Sequence, residues 1–443
     1  MKLTFILPAI GKKKGKKYIG TWKMEPLTIA VLKALTPPEI ETVFFDDRIE
    51  LIDYNAPTDL VVITVETYTA LRSYEIASAY RKKGIKVVLG GYHVTLLPNE
   101  AIEYADSIMI GNAENSWQQM LNDFQHNTLK KEYTGKPDFS YTLPDKSIFK
   151  GKKYLPVSLI ETGRGCCHRC EFCAISGYYQ SRYYPRKHEH IIADIKASKH
   201  KYFFMVDDNL VANRNHALEL FKKIEPLHIK WAGQGTLSLA KDEELLTAMK
   251  RSGCEIILIG FETLQEDNLK QMNKSVNIAC NETDKLVQRI HDAGIGIYAT
   301  FVFGYDNDTE ETFKRTLAFA RKHNFYTAAF NHLLPFPGTP LYQRLKDEKK
   351  LIYNKWWLED DYHYGSLAFQ PQQMSAGQLS ISCLDLRKKY AGFKTVIRRG
   401  LAAMKRSSPL MWSLFWAMNL RLGEEVSQKM NVPIGKNLDE YPK

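Results

Sequence analysis

The stretch ETGRGCCHRCEFCAISG, residues 161–177, places Cys166, Cys167, Cys170 and Cys173 within eight positions, although the whole chain of 443 residues has only seven cysteines. None precedes Cys166, and Cys254, Cys280 and Cys383 are scattered far downstream. The spacing of three residues from Cys166 to Cys170 and two from Cys170 to Cys173 lets three thiolates from one loop converge on an iron–sulfur cluster. A 4Fe–4S cube usually takes four thiolates, so a three-cysteine loop leaves one iron open to a substrate or cofactor. Zinc is the rival reading, with Cys167 or His168 completing four ligands. Against it, adjacent Cys166 and Cys167 aim poorly at one tetrahedral ion, and no second ligand pair follows at finger-like spacing. A ferredoxin-type carrier needs a fourth cysteine, which only the distant ones can supply. Cys167 itself reads as a buried thiol.

Length and composition frame this loop. A chain of 443 residues with 44% hydrophobic and 25% charged residues reads as globular, in two to three domains. The N-terminal MKLTFILPAIGKKKGKK has an apolar run too short for a signal peptide and reads as a first strand and loop. No segment has the run of about 18 apolar residues that spans a bilayer. The chain is therefore placed in the cytoplasm, where clustered cysteines bind metal more often than they form disulfides. Of the net charge of +11, much is C-terminal: residues 375–443 hold twelve Lys/Arg against five Asp/Glu. This reads equally as a solvated basic face or as attraction to an anionic partner.

Two alternations of apolar runs and helical patterns follow one another. In residues 1–125 the runs at 3–8, 42–47, 60–67, 86–91 and 107–111 read as buried parallel strands separated by helices, which makes a doubly wound, Rossmann-like α/β domain. Such a sheet takes ligands at its strand carboxyl ends, here the loops with Gly11 to Gly20, Glu66 to Thr69 and Gly90 to Thr95. Gly15 and Gly20 have phosphate-loop separation, but Thr21 stands where the lysine belongs. Residues 126–155 read as a linker. From 156 to 370, runs at 157–162, 202–208, 229–236, 255–263, 295–304 and 327–335 make six β/α units, better suited to a partial barrel than to a second open sheet. Residues 371–443 read as a helical C-terminal region.

On these residues the chain resembles the radical SAM superfamily: the three-cysteine spacing, an aromatic (Phe172) before the last cysteine, and a place after the first strand of a β/α repeat. The resemblance implies that Cys166, Cys170 and Cys173 bind a 4Fe–4S cluster whose open iron chelates S-adenosylmethionine (SAM), and that reduction of SAM yields a 5'-deoxyadenosyl radical. It further implies cofactor-binding roles for Phe172 and for strand-end residues Asp207, Asp208, Gln234, Gly260 and Glu262. As bare spacing, Asp207 and Glu262 read equally as helix-capping acids; as an ordered set after the cysteine loop they fit the family.

A doubly wound domain with GGYHVTLLPNE just before such a barrel is similar to the cobalamin-binding subgroup, the likeness covering residues 1–370. That implies cobalamin held by Glu66, Thr67, Gly90, Gly91 and His93. The DxHxxG motif is missing, so His93 is assigned a structural place rather than a bond to cobalt. The implied activity is methylation of an unactivated carbon, with radical cyclisation, rearrangement or coupling as the alternative. The implied partners are a small-molecule or lipid-like substrate and an external electron donor. An RNA-modifying role is disfavoured, because methylthiolating relatives carry three further cysteines in the first domain and a small β-barrel at the end. Finally, PLMWSLFWAMNLRL, residues 409–422, is nearly all apolar and bracketed by Arg398, Arg399, Lys405, Arg406 and Arg421. It reads as a buried helix or as an interfacial one in peripheral contact with a membrane.

Overall fold

A computed structural model of the chain describes all residues except 17, 19–22, 138–141, 279–281, 405 and 440–443, so Gly20, Thr21, Cys280 and Lys405 lie outside the described residues. Two compact units are formed, Met1–Leu155 with Tyr353–Ser366 and Lys429–Lys443, and Pro156–Ile352 with Leu367–Gln428.

The first unit is built on strands β1 (Lys2–Leu7), β2 (Glu41–Asp46), β3 (Leu60–Thr64), β4 (Lys86–Gly90), β5 (Ser107–Ile110) and β6 (Glu132–Thr134). Their order is β2-β1-β3-β4-β5-β6, every pairing parallel. Both faces are covered, as the continuous apolar runs require. Leu3, Phe5, Leu60, Val62, Val88 and Met109 share a core with the helices Leu27–Leu35 and Trp117–Gln125. The alternate residues Ile6, Val61, Ile63, Val87 and Leu89 are as deeply buried on the other face. Because β1 pairs with both β2 and β3, the chain reverses its direction of travel across the sheet there, and the loops after β1 and β3 flank the switch point.

The boundaries differ from the sequence reading. Tyr133 of β6 and Phe149 are buried in the first unit, so much of 126–155 belongs to it rather than to a linker; a three-residue strand is too short to show as alternation. Two later segments return to this unit. Trp356, Trp357 and Tyr362 are fully buried, with the Trp356 ring 5.1 Å from that of Tyr68. Gly435 N donates to Ile10 O (2.7 Å) and Lys12 N to Lys436 O (3.1 Å). Arg72 ties the second of these segments by charge, its Nε 3.1 Å from Asp47 Oδ2 and its Nη2 2.7 Å from Asp439 Oδ1.

The second unit has β7 (Ser158–Ile160), the antiparallel pair β8 (Gly163–Gly165) and β9 (Tyr183–Pro185), then β10 (Tyr202–Met205), β11 (Lys230–Gly235), β12 (Cys254–Glu262), β13 (Gly296–Phe303) and β14 (Thr327–His332). The main sheet runs β7-β10-β11-β12-β13-β14 in chain order, all parallel, as six β/α units dictate. Helix Ala376–Tyr390 packs on β14, and Phe393–Met404 and Pro409–Asn419 pack on each other. Phe415 is fully buried edge-on to Tyr326, whose hydroxyl donates to Met411 O at 2.6 Å. Arg399, 1% exposed, ties the pair together through Tyr326 O (3.2 Å) and Asn419 Oδ1 (2.8 Å). Among the described residues no helix is long and apolar enough to cross a membrane.

Removing the Arg72 guanidinium strands a fully buried Asp47 carboxylate. Arg72→Ala is expected to cost about 3–5 kcal/mol in urea unfolding. Arg72→Leu/Asp47→Asn, which keeps an acceptor for Ala9 N (3.1 Å from Asp47 Oδ2), is expected to recover most of the loss.

Candidate functional site

The cysteine loop is fixed at its base by contacts within the protein itself. β7 ends at Ile160, two residues earlier than its apolar run, because Thr162 is captured by Asp207: its N and Oγ1 donate to the carboxylate at 2.9 and 2.6 Å. β10 likewise stops at Met205, freeing Asp207 and Asp208 for this task. Asp208 accepts from Gly165 N at 3.0 Å. Gly165 has φ +82, and a Cβ on it would lie 2.2 Å from Arg182 O, so only glycine permits β8 to close against β9 at the loop's two ends. Further along, Glu171 N donates to Met272 O and Asn273 Nδ2 to Arg169 O, each at 3.0 Å, while Arg344 Nη2 reaches Glu171 Oε1 at 2.9 Å. The segments after β12 and β14 therefore hold the same loop.

Within it, Cys170 is buried, Cys166 and Cys173 are half-buried, and Cys167 is exposed. The reading of Cys167 as a buried thiol is corrected, since the loop turns it outward. Asn209 Nδ2 lies 3.8 Å from Cys166 Sγ, and its buried Oδ1 has no partner. The Cys166 thiol is held protonated by the neighbouring Cys167 thiol and by burial, and burial pushes Cys170 up to about 11. Among the described residues no three His, Cys, Asp or Glu side chains stand close enough together to hold a metal ion as they are. The spacing supplies three thiols to one loop without gathering them.

At the end of β12 the backbone is strained. Glu262 has φ +61, where the register with β13 shifts, a conformation costing on the order of 1–3 kcal/mol. Asn277 Nδ2 compensates by donating to Gly260 O (2.9 Å) and Phe261 O (3.0 Å). The result is a carboxylate at the strand mouth, paired with Lys274, which sequence reasoning missed. Burial works against the Lys274 ammonium, but Glu262 and then the thiols Cys170 and Cys173 outweigh it and raise its pKa. Its Nζ also lies 5.9 Å from the centroid of the half-buried Phe172 ring. No spacing rule marks a lysine twelve residues beyond a strand end. Gln234 sits half-buried near the end of β11, and its carbonyl accepts from Leu210 N at 3.0 Å.

In the first unit, Glu66 and Gly91 are exposed at the carboxyl ends of β3 and β4, Gly90 is half-buried, and Tyr92 beside them is 41% exposed. Gly91 has φ +110, and a Cβ on it would lie 2.7 Å from Val65 O. Its glycine is thus required by the tight turn into helix Tyr92–Leu96 itself. Thr67 and His93 are buried, with His93 Nδ1 3.3 Å from Thr67 Oγ1 and Nε2 3.1 Å from Glu100 Oε1. Both ring nitrogens are engaged, so this imidazole is not offered to a metal.

The donor chemistry fits the groups that the cysteine pattern implies. Soft thiols on one loop beside a buried ammonium suit an anionic iron–sulfur cluster, and the partnerless Asn209 oxygen and the Glu262 carboxylate are acceptors of the kind an amino group takes. The exposed strand ends of β3 and β4 suit a large ligand bound without a protein imidazole.

The family model of the radical SAM superfamily matches residues 160–320. The chain is 29% identical over 407 residues, 88% of its length and 86% of the relative's, to the bacteriochlorophyllide d C-12(1)-methyltransferase of Chlorobaculum tepidum. It is 28% identical to that organism's bacteriochlorophyllide d C-8(2)-methyltransferase, covering 74% of this chain and 78% of the relative. The solved radical S-adenosylmethionine methyltransferase TsrM of Kitasatospora setae, with cobalamin and a [4Fe-4S] cluster bound, superposes with TM-score 0.66 at 13% identity over 96% of this chain and 99% of that one. The cobalamin-dependent enzyme OxsB gives TM-score 0.66 at 14% identity, over 96% and 72%.

Asp207 gives the site a pH signature. Burial pushes its pKa up to about 7, against the pull of the Thr162 hydrogen bonds. A carboxyl raised on folding contributes stability that is complete below its unfolded value, about 4, and is lost as pH rises through about 7. Asp207→Asn, which cannot titrate, is expected to flatten that fall, read as the urea midpoint between pH 5 and 8.

Proposed function

We propose that the chain is a radical SAM enzyme carrying a cobalamin-binding domain, and that it methylates an unactivated carbon of a hydrophobic small molecule, using SAM, a 4Fe–4S cluster and cobalamin. The observation that carries this reading is the joining of a doubly wound parallel sheet to a six-stranded parallel sheet whose first strand runs into a three-thiol loop. When bound, the three cofactors supply the radical and methyl-transfer chemistry. The chain supplies placement. Cys166, Cys170 and Cys173 are the proposed cluster ligands. Asp207 and Asp208 hold the loop that carries them, and Phe172 packs its inner face against the core. Glu262, Gly260 and Gln234 border the strand mouth on which SAM is proposed to lie. In the first unit Glu66, Gly90 and Gly91 are the proposed corrin contacts, with Thr67 and His93 fixing the loops behind them.

A hydrophobic ring system is the proposed substrate class, because the two most alike relatives reported above are named for action on a bacteriochlorophyllide. An external donor is proposed to deliver the reducing electron, and peripheral contact with a membrane is proposed for the second unit.

Two outcomes test the reading. Anaerobic reconstitution with iron and sulfide is expected to load a cluster in the native protein and in Cys167→Ala, and to fail in Cys166→Ala, Cys170→Ala and Cys173→Ala, measured as iron content. Turnover with SAM, cobalamin, a reductant and a tetrapyrrole substrate is expected to release both 5'-deoxyadenosine and S-adenosylhomocysteine. Deoxyadenosine alone assigns a radical reaction without methyl transfer.

A further inference from the structure

From Leu386 to Gly423 the chain carries nine Lys/Arg and no Asp or Glu. Such a run is not unusual on a solvated face, but here it coincides with exposed apolar side chains. Among the described residues the large hydrophobic side chains left exposed include Phe393 (71%), Leu420 (57%), Leu401 (54%), Met404 (52%) and Leu414 (38%), all in this one run.

The helix Phe393–Met404 carries three of them, Phe393, Leu401 and Met404. Its buried face is Val396, Arg399, Gly400 and Ala403, which pack toward the body of the unit. Phe393, Ile397, Leu401 and Met404 follow at helical intervals along an outward face, and Lys394 and Arg398, both exposed, line its far edge. A helix that presents an apolar row bordered by cations is the pattern of one lying in a membrane interface. The neighbouring helix is differently disposed. Trp412 and Trp416 are half-buried, Trp412 Nε1 donates to Gly400 O at 2.8 Å, and Phe415 is buried against Tyr326, so the tryptophans serve chiefly to clamp the two helices together. The outward row therefore belongs to 393–404 and not, as the apolar density of 409–422 suggests in sequence, to the tryptophan-rich helix.

We propose that the outward face of helix Phe393–Met404 is a docking surface for an anionic lipid bilayer, the row Phe393, Ile397, Leu401 and Met404 entering the acyl boundary and Lys394 and Arg398 meeting the headgroups. The charge argues for lipid over a second copy of this chain, since a surface with no carboxylate across the whole run repels its own image. It also argues against a neutral apolar partner, which would leave the bordering cations without a counter-charge. The inference does not rest on the proposed reaction, and its test needs no turnover.

The experiment is co-sedimentation of the full-length protein with vesicles of phosphatidylcholine alone or with phosphatidylglycerol added, at low and high salt. Native protein is expected to bind the anionic vesicles and to leave them as salt rises. Phe393→Ser/Leu401→Ser and Lys394→Glu/Arg398→Glu, all surface changes checked for native circular dichroism and urea midpoint, are each expected to weaken binding about tenfold or more. Trp412→Ser is the contrasting variant, expected to lower the urea midpoint through the helix clamp. The proposal is overturned if native protein ignores anionic vesicles, or if the Phe393/Leu401 variant binds them as native does, which would leave only diffuse charge adsorption. It is equally overturned if the row proves to be covered in solution by a second copy, seen as a dimer that the same two serines dissolve.

Discussion

Two hydrogen bonds to one carboxylate, from the backbone and hydroxyl of Thr162 to Asp207, decide where the second unit's chemistry can happen. The carboxylate is buried, and burial alone would leave it protonated or unstable. Thr162 gives it two short donors, and in return the strand β7 is cut off and the following residues are thrown out of the sheet. Asp208 then takes Gly165, and the β8–β9 ladder closes the loop at both ends. The cysteines thus hang from a base that is rigid for reasons unrelated to any ligand. A binding site built on such a base loses little freedom when its ligands are drawn together.

That division of labour explains what was legible in the sequence. Buried parallel strands announce themselves as apolar runs, and every strand expected in the two sheets is found, with ends displaced by at most three residues. The displaced ends are informative: β7 and β10 stop short of their apolar runs where side chains leave the sheet to bind each other. Asp207 and Asp208 were legible as strand-end acids, whereas their tie to Thr162 and Gly165 was not, because those contacts bridge more than forty residues. Lys274 was invisible for a different reason: its pairing with Glu262 spans twelve residues and follows no helical or strand spacing. The returning segments around Trp356 and Asp439 were invisible too: they have no periodicity, and their place is set by long-range burial and by Arg72.

Glu262 and Lys274 show how the strand mouth of the second unit tolerates charge. A carboxylate forced into left-handed backbone beside a buried ammonium is costly twice over, in strain and in desolvation. The pairing relieves the second cost, and Asn277 relieves the first by capping the carbonyls that the bulge exposes. The thiols of Cys170 and Cys173 lie in the field of the same ammonium, so converting them to thiolates adds attraction where an uncharged wall would resist it.

In the first unit the corresponding hub is Glu100. Burial opposes its charge, but hydrogen bonds from His93, Lys355 and Trp357 outweigh that and hold its carboxyl down to about 2. Tyr74 adds a fourth donor at 3.1 Å. With the carboxylate ionised, the His93 Nε2 beside it is kept as a donor, and Thr67 faces the other nitrogen; turning this ring toward a ligand would break both contacts and leave a buried carboxylate short of a partner. The glycine turn at Gly91 and the exposed Glu66 and Tyr92 are therefore what this domain presents at its strand ends. The histidine contributes by fixing, through Thr67, the loop that follows β3.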